Sequence, residues 1–157
     1  MKVVLSGSFR KYLKEMFELK QKLETDGIIV LKPEINSTIE NPDNPNFIKF
    51  VGEENKSEGE LEREYLFAIE SADAHIICNF NGYLGETAGN ELSYGSGART
   101  PVYLLEPIKE VSATDTYEIK KLHLWYGALA QHGLVKIGLD EMYKDFNIET
   151  RKNSKNR

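Results

Sequence analysis

Short apolar runs alternate with helically spaced apolar positions along most of the chain. Val3-Val-Leu5 is broken by Ser6-Gly7-Ser8, after which Tyr12, Met16, Leu19 and Leu23 recur every three or four residues. This spacing predicts a strand, a tight loop and an amphipathic helix closed by Asp26-Gly27. Ile28-Ile-Val-Leu31 reads as a second buried strand ending at Pro33, so a β-α-β unit is complete by residue 32. Residues 33–57, with Pro33, Pro42, Pro45 and Gly52, hold no sustained period and read as a long loop of the kind that often covers a site. Ser57-Glu-Gly-Glu60 fits a capping box ahead of Leu61, Tyr65, Ala68 and Ala72, predicting a helix to about Ser71. His75-Ile-Ile-Cys78 is a third buried strand. A glycine-rich segment over 79–89, a helix near Asn90–Gly97 and a strand over Val102–Leu105 come next. Helical spacing over Tyr117–Gln131 and again after Leu139 brackets Gly133–Gly138, read as a short fifth strand. Apolar strands separated by helices predict an α/β fold: a parallel sheet of four to five strands with helices on both faces.

Length and charge narrow this picture. With 157 residues the chain fits a single α/β domain over 1–150, followed by a basic polar tail over 151–157 that is expected to be flexible. The 20 Lys and Arg against 25 Asp and Glu give −5; without the four basic residues of the tail, 16 against 25 leaves −9. So acidic a body is a poor surface for duplex nucleic acid, which is held by clustered Lys and Arg. No apolar run approaches the roughly 18 residues of a membrane span, and no signal-peptide pattern opens the chain, so a cytoplasmic protein is expected. Cys78 has no cysteine to pair with, and His75, His123 and His132 lack zinc-ligand spacing, so neither a metal nor a cofactor is expected.

In open parallel sheets, ligands bind beyond the carboxyl ends of the strands, here Ser6–Arg10, Pro33–Asn36 and Asn79–Thr87. The first loop joins small residues to a helix start and Arg10, a combination suited to a phosphate or sugar oxygen and equally to an ordinary Gly/Ser turn. The third, Asn81-Gly-Tyr-Leu-Gly85-Glu-Thr-Ala-Gly89-Asn-Glu91, gathers amide, aromatic and carboxylate groups on one turn. Glu91 is expected in the first turn of the following helix. There the macrodipole would favour the ionised carboxylate that a nucleophile needs, although helix-start acids are also commonplace. Glu86 is the rival carboxylate. Gly95-Ser-Gly97 precedes a strand instead of following one, so it is no dinucleotide fingerprint, and neither a Walker loop nor a serine elbow occurs. His123-Leu-Trp-Tyr126 reads as a subunit contact in preference to a base-stacking platform.

Taken in order, Leu5-Ser-Gly-Ser-Phe-Arg10, Leu61-Glu-Arg-Glu-Tyr65, Ser71-Ala-Asp73 and Gly85…Glu91-Leu-Ser-Tyr-Gly95 resemble a known superfamily. It comprises the nucleoside 2-deoxyribosyltransferases and the 2'-deoxynucleoside 5'-monophosphate N-glycosidases. The likeness spans roughly residues 2–35 and 58–106. It implies a five-stranded parallel sheet of flavodoxin-like topology and attack by Glu91 on the anomeric carbon of a deoxynucleoside or its monophosphate. Water would resolve the glycosyl ester in a hydrolase, a second base in a transferase. By motif position Gly7, Ser8, Phe9 and Arg10 would contact sugar or phosphate, and Glu64 would stand near the acid that relatives carry on the second helix. In the glycine loop Asn81, Gly82, Tyr83, Gly85 and Thr87 would complete the substrate site. Two departures stand out: Tyr83 lies near the serine that holds a 5'-phosphate, leaving Thr87 as the nearby hydroxyl, and Asn79 and Asn81 replace an acid that manages the base. Leaving-group protonation is then open between Glu86, Glu64 and water. The resemblance further implies a homo-oligomer in which the aromatic helix and tail of a neighbouring subunit complete the pocket. The competing expectation is a non-catalytic nucleotide-sensing module on the same fold.

Overall fold

The computed structural model describes residues 1–34, 38–39, 44, 47–111 and 135–150. Five strands form one parallel sheet: β1 (Lys2–Gly7), β2 (Ile29–Lys32), β5 (Ala74–Cys78), β7 (Val102–Leu104) and β9 (Val135–Ile137), in the order β2-β1-β5-β7-β9. This is the flavodoxin-like order. The chain leaves β1 for β2 on one side and returns to β5 on the other, so the crossovers diverge between β1 and β5 and open a crevice at the strand ends.

Among the described residues four helices cover the sheet: α1 (Phe9–Thr25), α2 (Glu58–Ser71), α3 (Glu86–Gly97) and α4 (Leu139–Asp145). Alternation along each strand sorts the side chains. Val3, Leu5, Ala74, Ile76 and Tyr103 pack with Met16 and Leu23 of α1 and Met142 and Tyr143 of α4. On the opposite face Ile77, Val102, Leu104 and Val135 pack with Ala88 and Leu92 of α3, while Tyr65 of α2 donates to the Leu5 carbonyl at 3.0 Å. Among the described residues no helix is long and apolar enough to cross a membrane.

Local chemistry accounts for the helix ends. Ser8 caps α1 by accepting from the Lys11 amide, and Asp26-Gly27 ends it, Gly27 at φ +84°. The capping box of α2 is complete: Glu60 N–H donates to Ser57 Oγ at 3.2 Å and Ser57 N–H to Glu60 Oε2 at 2.8 Å. The helix expected near Asn90 starts earlier, at Glu86, because Gly85 ends an extended step and serves as its N-cap. The segment read as a featureless loop contains a small antiparallel pair, β3 (Thr38–Ile39) with β4 (Lys49–Phe50). A second small pair, β6 (Tyr83–Leu84) with β8 (Glu110–Val111), is parallel. The expected helix over Tyr117–Gln131, with its aromatic stretch, and the tail over 151–157 lie outside the described residues.

Candidate functional site

A cavity of about 460 Å³ opens at the carboxyl ends of β1 and β2, between α1, α2 and α3, within the size range of small-molecule sites. Gly7, Ser8, Phe9 and Arg10 form one wall, and Tyr83, Gly85, Glu86, Thr87, Ala88 and Glu91 another. The strand–turn–helix geometry explains the first wall. The chain leaves β1 at Gly7, where an added Cβ would lie 3.0 Å from both Cys78 Cβ and Met16 Sδ, so any side chain here would have to push these neighbours aside for the loop to pass this close to β5.

Two further elements close the space. Phe50 of β4 packs edge-on against Phe9 with ring centroids 5.1 Å apart and against Phe17 at 6.0 Å, which carries Phe47, Ile48 and Phe50 to the cavity as an apolar roof. The long segment after β2 therefore does reach the site. Helix α2 contributes Leu61, Glu62 and Tyr65, since a crossover helix runs back against the strand direction and so starts beside the strand ends.

Glu91 lies at the base of the cavity, 4 % exposed. It stands on the second turn of α3, beyond the first-turn position expected from sequence, where the macrodipole is weak. Burial dominates instead: it raises the carboxyl to about 8, the nearby Glu62 charge adds to the rise, and a hydrogen bond from Ser6 opposes it. Glu62 is itself pushed up by burial. Of the four carboxyl groups on the cavity wall, Glu53, Glu62, Glu86 and Glu91, burial thus makes two, Glu62 and Glu91, weaker acids than in water.

Glu64 is turned elsewhere. It bridges Lys32 Nζ at 3.3 Å and also pairs with Lys56, and these partners hold its carboxyl below the ordinary range. It is absent from the cavity wall, whereas its partner Lys32 is on it. Asn81 and Gly82 also lie off the wall. Both take positive φ, 56° and 74°, in a turn held by Gly82 N–H donating to Glu106 Oε2 at 2.8 Å and by Asn79 donating to the Glu106 carbonyl. Their place is to fix the loop that presents Tyr83, whose ring carries Lys11 Nζ 3.7 Å from its centroid. Sequence reasoning missed Glu62, Tyr65, Lys32, Glu53 and the apolar roof. For Glu62 and Tyr65 a signal was present in the helical face begun by Leu61, with Glu62 on one flank of it.

Behind Glu91 lies a buried polar pair: Ser6 Oγ stands 2.7 Å from His75 Nε2, both side chains wholly enclosed. Burial keeps the imidazole neutral, lowering it to about 3. Among the described residues no group of three or more His, Cys, Asp or Glu side chains is placed to hold a metal ion. Compared with family models, curated proteins and solved structures, the chain matches none.

Proposed function

We propose that this cavity binds a 2'-deoxynucleoside or its 5'-monophosphate and cleaves the N-glycosidic bond through a glycosyl ester on Glu91. The observation that carries this reading is the pair of unequal carboxyls, Glu91 deeply buried and Glu62 nearer the opening, on one enclosed cavity. Two carboxyls flanking a sugar are what a double displacement needs. Burial holds a proton on Glu91 up to about pH 8, so the nucleophilic form arises when that proton shifts to Glu62, whose carboxyl is also raised by burial.

In the reactive form the proton sits on Glu62 and the charge on Glu91, with the Ser6 hydroxyl donating to that charge. A Glu91 oxygen bonds to the anomeric carbon as the carbon–nitrogen bond breaks. The bonding pair leaves with the base nitrogen, which takes the Glu62 proton. In the second step Glu62, now a carboxylate, removes a proton from water as its oxygen attacks the same carbon and releases Glu91. A second free base in place of water makes the reaction a transfer. Phe9, Phe50 and Ile48 exclude bulk water, while Arg10, Lys32, Ser8 and Thr87 supply polar contacts for sugar hydroxyls or a phosphate.

The test is chromatography of deoxynucleosides and their monophosphates incubated with wild type and Glu91→Ala, with and without a second free base. Base release by wild type alone is the expected result, and exchange into the second base would identify a transferase. Binding without release by wild type would replace this reading with a nucleotide sensor.

A further inference from the structure

The Ser6–His75 pair takes no part in the bond changes above, yet both side chains are wholly enclosed and Ser6 hydrogen-bonds to Glu91. Ser6 and His75 come from adjacent strands. The β1–β5 register pairs Val4 with His75 and Ser6 with Ile77, which puts all four side chains on the α2/α3 face and leaves Ser6 diagonal to the imidazole. On its far side His75 Nδ1 has no hydrogen-bond partner. It faces Gly95 of α3, where a Cβ would lie 2.7 Å from Nδ1 and 3.2 Å from Ile69 Cγ2. The imidazole is therefore wedged into space that a glycine leaves open, with one nitrogen on Ser6 and the other against carbon.

We infer that His75 and Ser6 are positioning residues that fix the direction of hydrogen bonding toward Glu91, His75 donating to Ser6 and Ser6 donating to the carboxyl group. A neutral imidazole carries one N–H. On Nε2 that hydrogen bonds to Ser6 Oγ, the single Ser6 proton passes on to Glu91, and Nδ1 keeps only a bare lone pair. On Nδ1 it would be an orphaned N–H buried against Gly95, and Nε2 would draw the Ser6 proton away from Glu91. Buried unpaired N–H groups are rarer than under-used acceptors, so the first arrangement prevails. It prevails with Glu91 protonated or ionised, because a carboxylic acid accepts the Ser6 hydrogen through its carbonyl oxygen.

This inference builds on the nucleophile role proposed for Glu91, but its direct readouts need no substrate. The other titratable groups that face Glu91 are Glu62 and Tyr65 of α2 and Cys78 of β5. Arg10, Lys32, Glu53 and Glu86 share its cavity. All of these are unchanged in the variants, so differences between variants report the pair.

The experiment is a carbon-13 NMR titration of the Glu91 carboxyl in the free protein, its resonance assigned with Glu91→Gln. Ser6→Ala and His75→Met are expected to raise the midpoint by about one unit, a tenfold weaker acid. His75→Gln, whose amide N–H replaces the Nε2 donor, should restore it toward wild type. A midpoint equal in His75→Met and His75→Gln would overturn the proposal. Should these variants not fold, the nitrogen-15 shifts of His75 in wild type decide the matter: protonated Nε2 supports the pair and protonated Nδ1 overturns it. With those signatures present and no base release by wild type, only the proposed reaction fails. With Glu91-dependent base release and the opposite tautomer, only the pair fails.

Discussion

Replacing Glu91 by Gln should turn the pH dependence of stability on its alkaline side. Folding raises this carboxyl from its ordinary 4.5 to about 8. Between those values the folded protein holds a proton that the unfolded chain has released, so wild-type stability falls by about 1.4 kcal/mol per pH unit. His75 acts in the opposite sense. It is lowered from 6.5 to about 3, so between those values the unfolded chain holds the extra proton and stability rises with pH at the same slope. From these two groups wild type gains stability up to 4.5, is level from 4.5 to 6.5 where the slopes cancel, and declines from 6.5 to about 8. Glu91→Gln removes the declining contribution. The variant should gain on wild type by about 4 kcal/mol between about pH 5 and about pH 8, three units at the slope above. The magnitude is a ceiling, because an ionised Glu91 can draw water into the cavity. Urea unfolding at several pH values, with equal m-values for the two proteins, measures it. A stability difference constant to within about 1 kcal/mol over that range would refute the assignment of Glu91 as a carboxyl held protonated by burial.

Kinetics should separate Glu62 from Glu64 on α2. Glu62→Gln is expected to lower kcat for base release by at least about 100-fold, the usual scale of general acid catalysis, with the largest loss on bases that leave poorly. Glu64→Gln, which loses pairs to Lys32 and Lys56, should change stability by no more than about 1 kcal/mol and kcat far less than Glu62→Gln does. Gly95→Ala drives a methyl group to 2.7 Å from His75 Nδ1. It should destabilise the fold by about 1–3 kcal/mol in urea titration, through overpacking of an enclosed site. Gly82→Ala meets the Pro107 carbonyl at 2.8 Å at a φ of +74°. It is expected to cost about 1–3 kcal/mol of stability and to raise KM, since that turn presents Tyr83.

The order of elements was legible because burial on one side imposes local periods, two residues in a strand and about 3.6 in a helix. Val3–Leu5, His75–Cys78 and Val102–Leu104 stand out as apolar runs. Ser57 with Glu60 announces the start of α2 through chemistry confined to four residues. Length and charge required nothing further. What sequence alone leaves undecided is the direction of residues at the edges of those faces. Around α2, Glu62 lies about 100° from Leu61 in one sense and Glu64 about 60° in the other, at 100° per residue. Either flank could look into a site. Only the seating of α2 over β1 and β2 turns Glu62 to the cavity and Glu64 to Lys32.

The same limit applies to electrostatics and to partners far apart in the chain. The expectation of an ionised Glu91 rests on its helix alone, while its weakened acidity comes from burial in the assembled fold, with the Glu62 charge adding to it. Ser6 and His75 meet across 69 positions of sequence because two strands became neighbours in register. The sequence by itself determined the periodicities, caps and strand–helix order, since each follows from forces acting within a few residues. Tertiary structure decided which carboxyl faces the cavity, which proton it holds and what stands behind it. Those properties depend on solvent excluded, and on charges brought near, by segments that no local pattern relates.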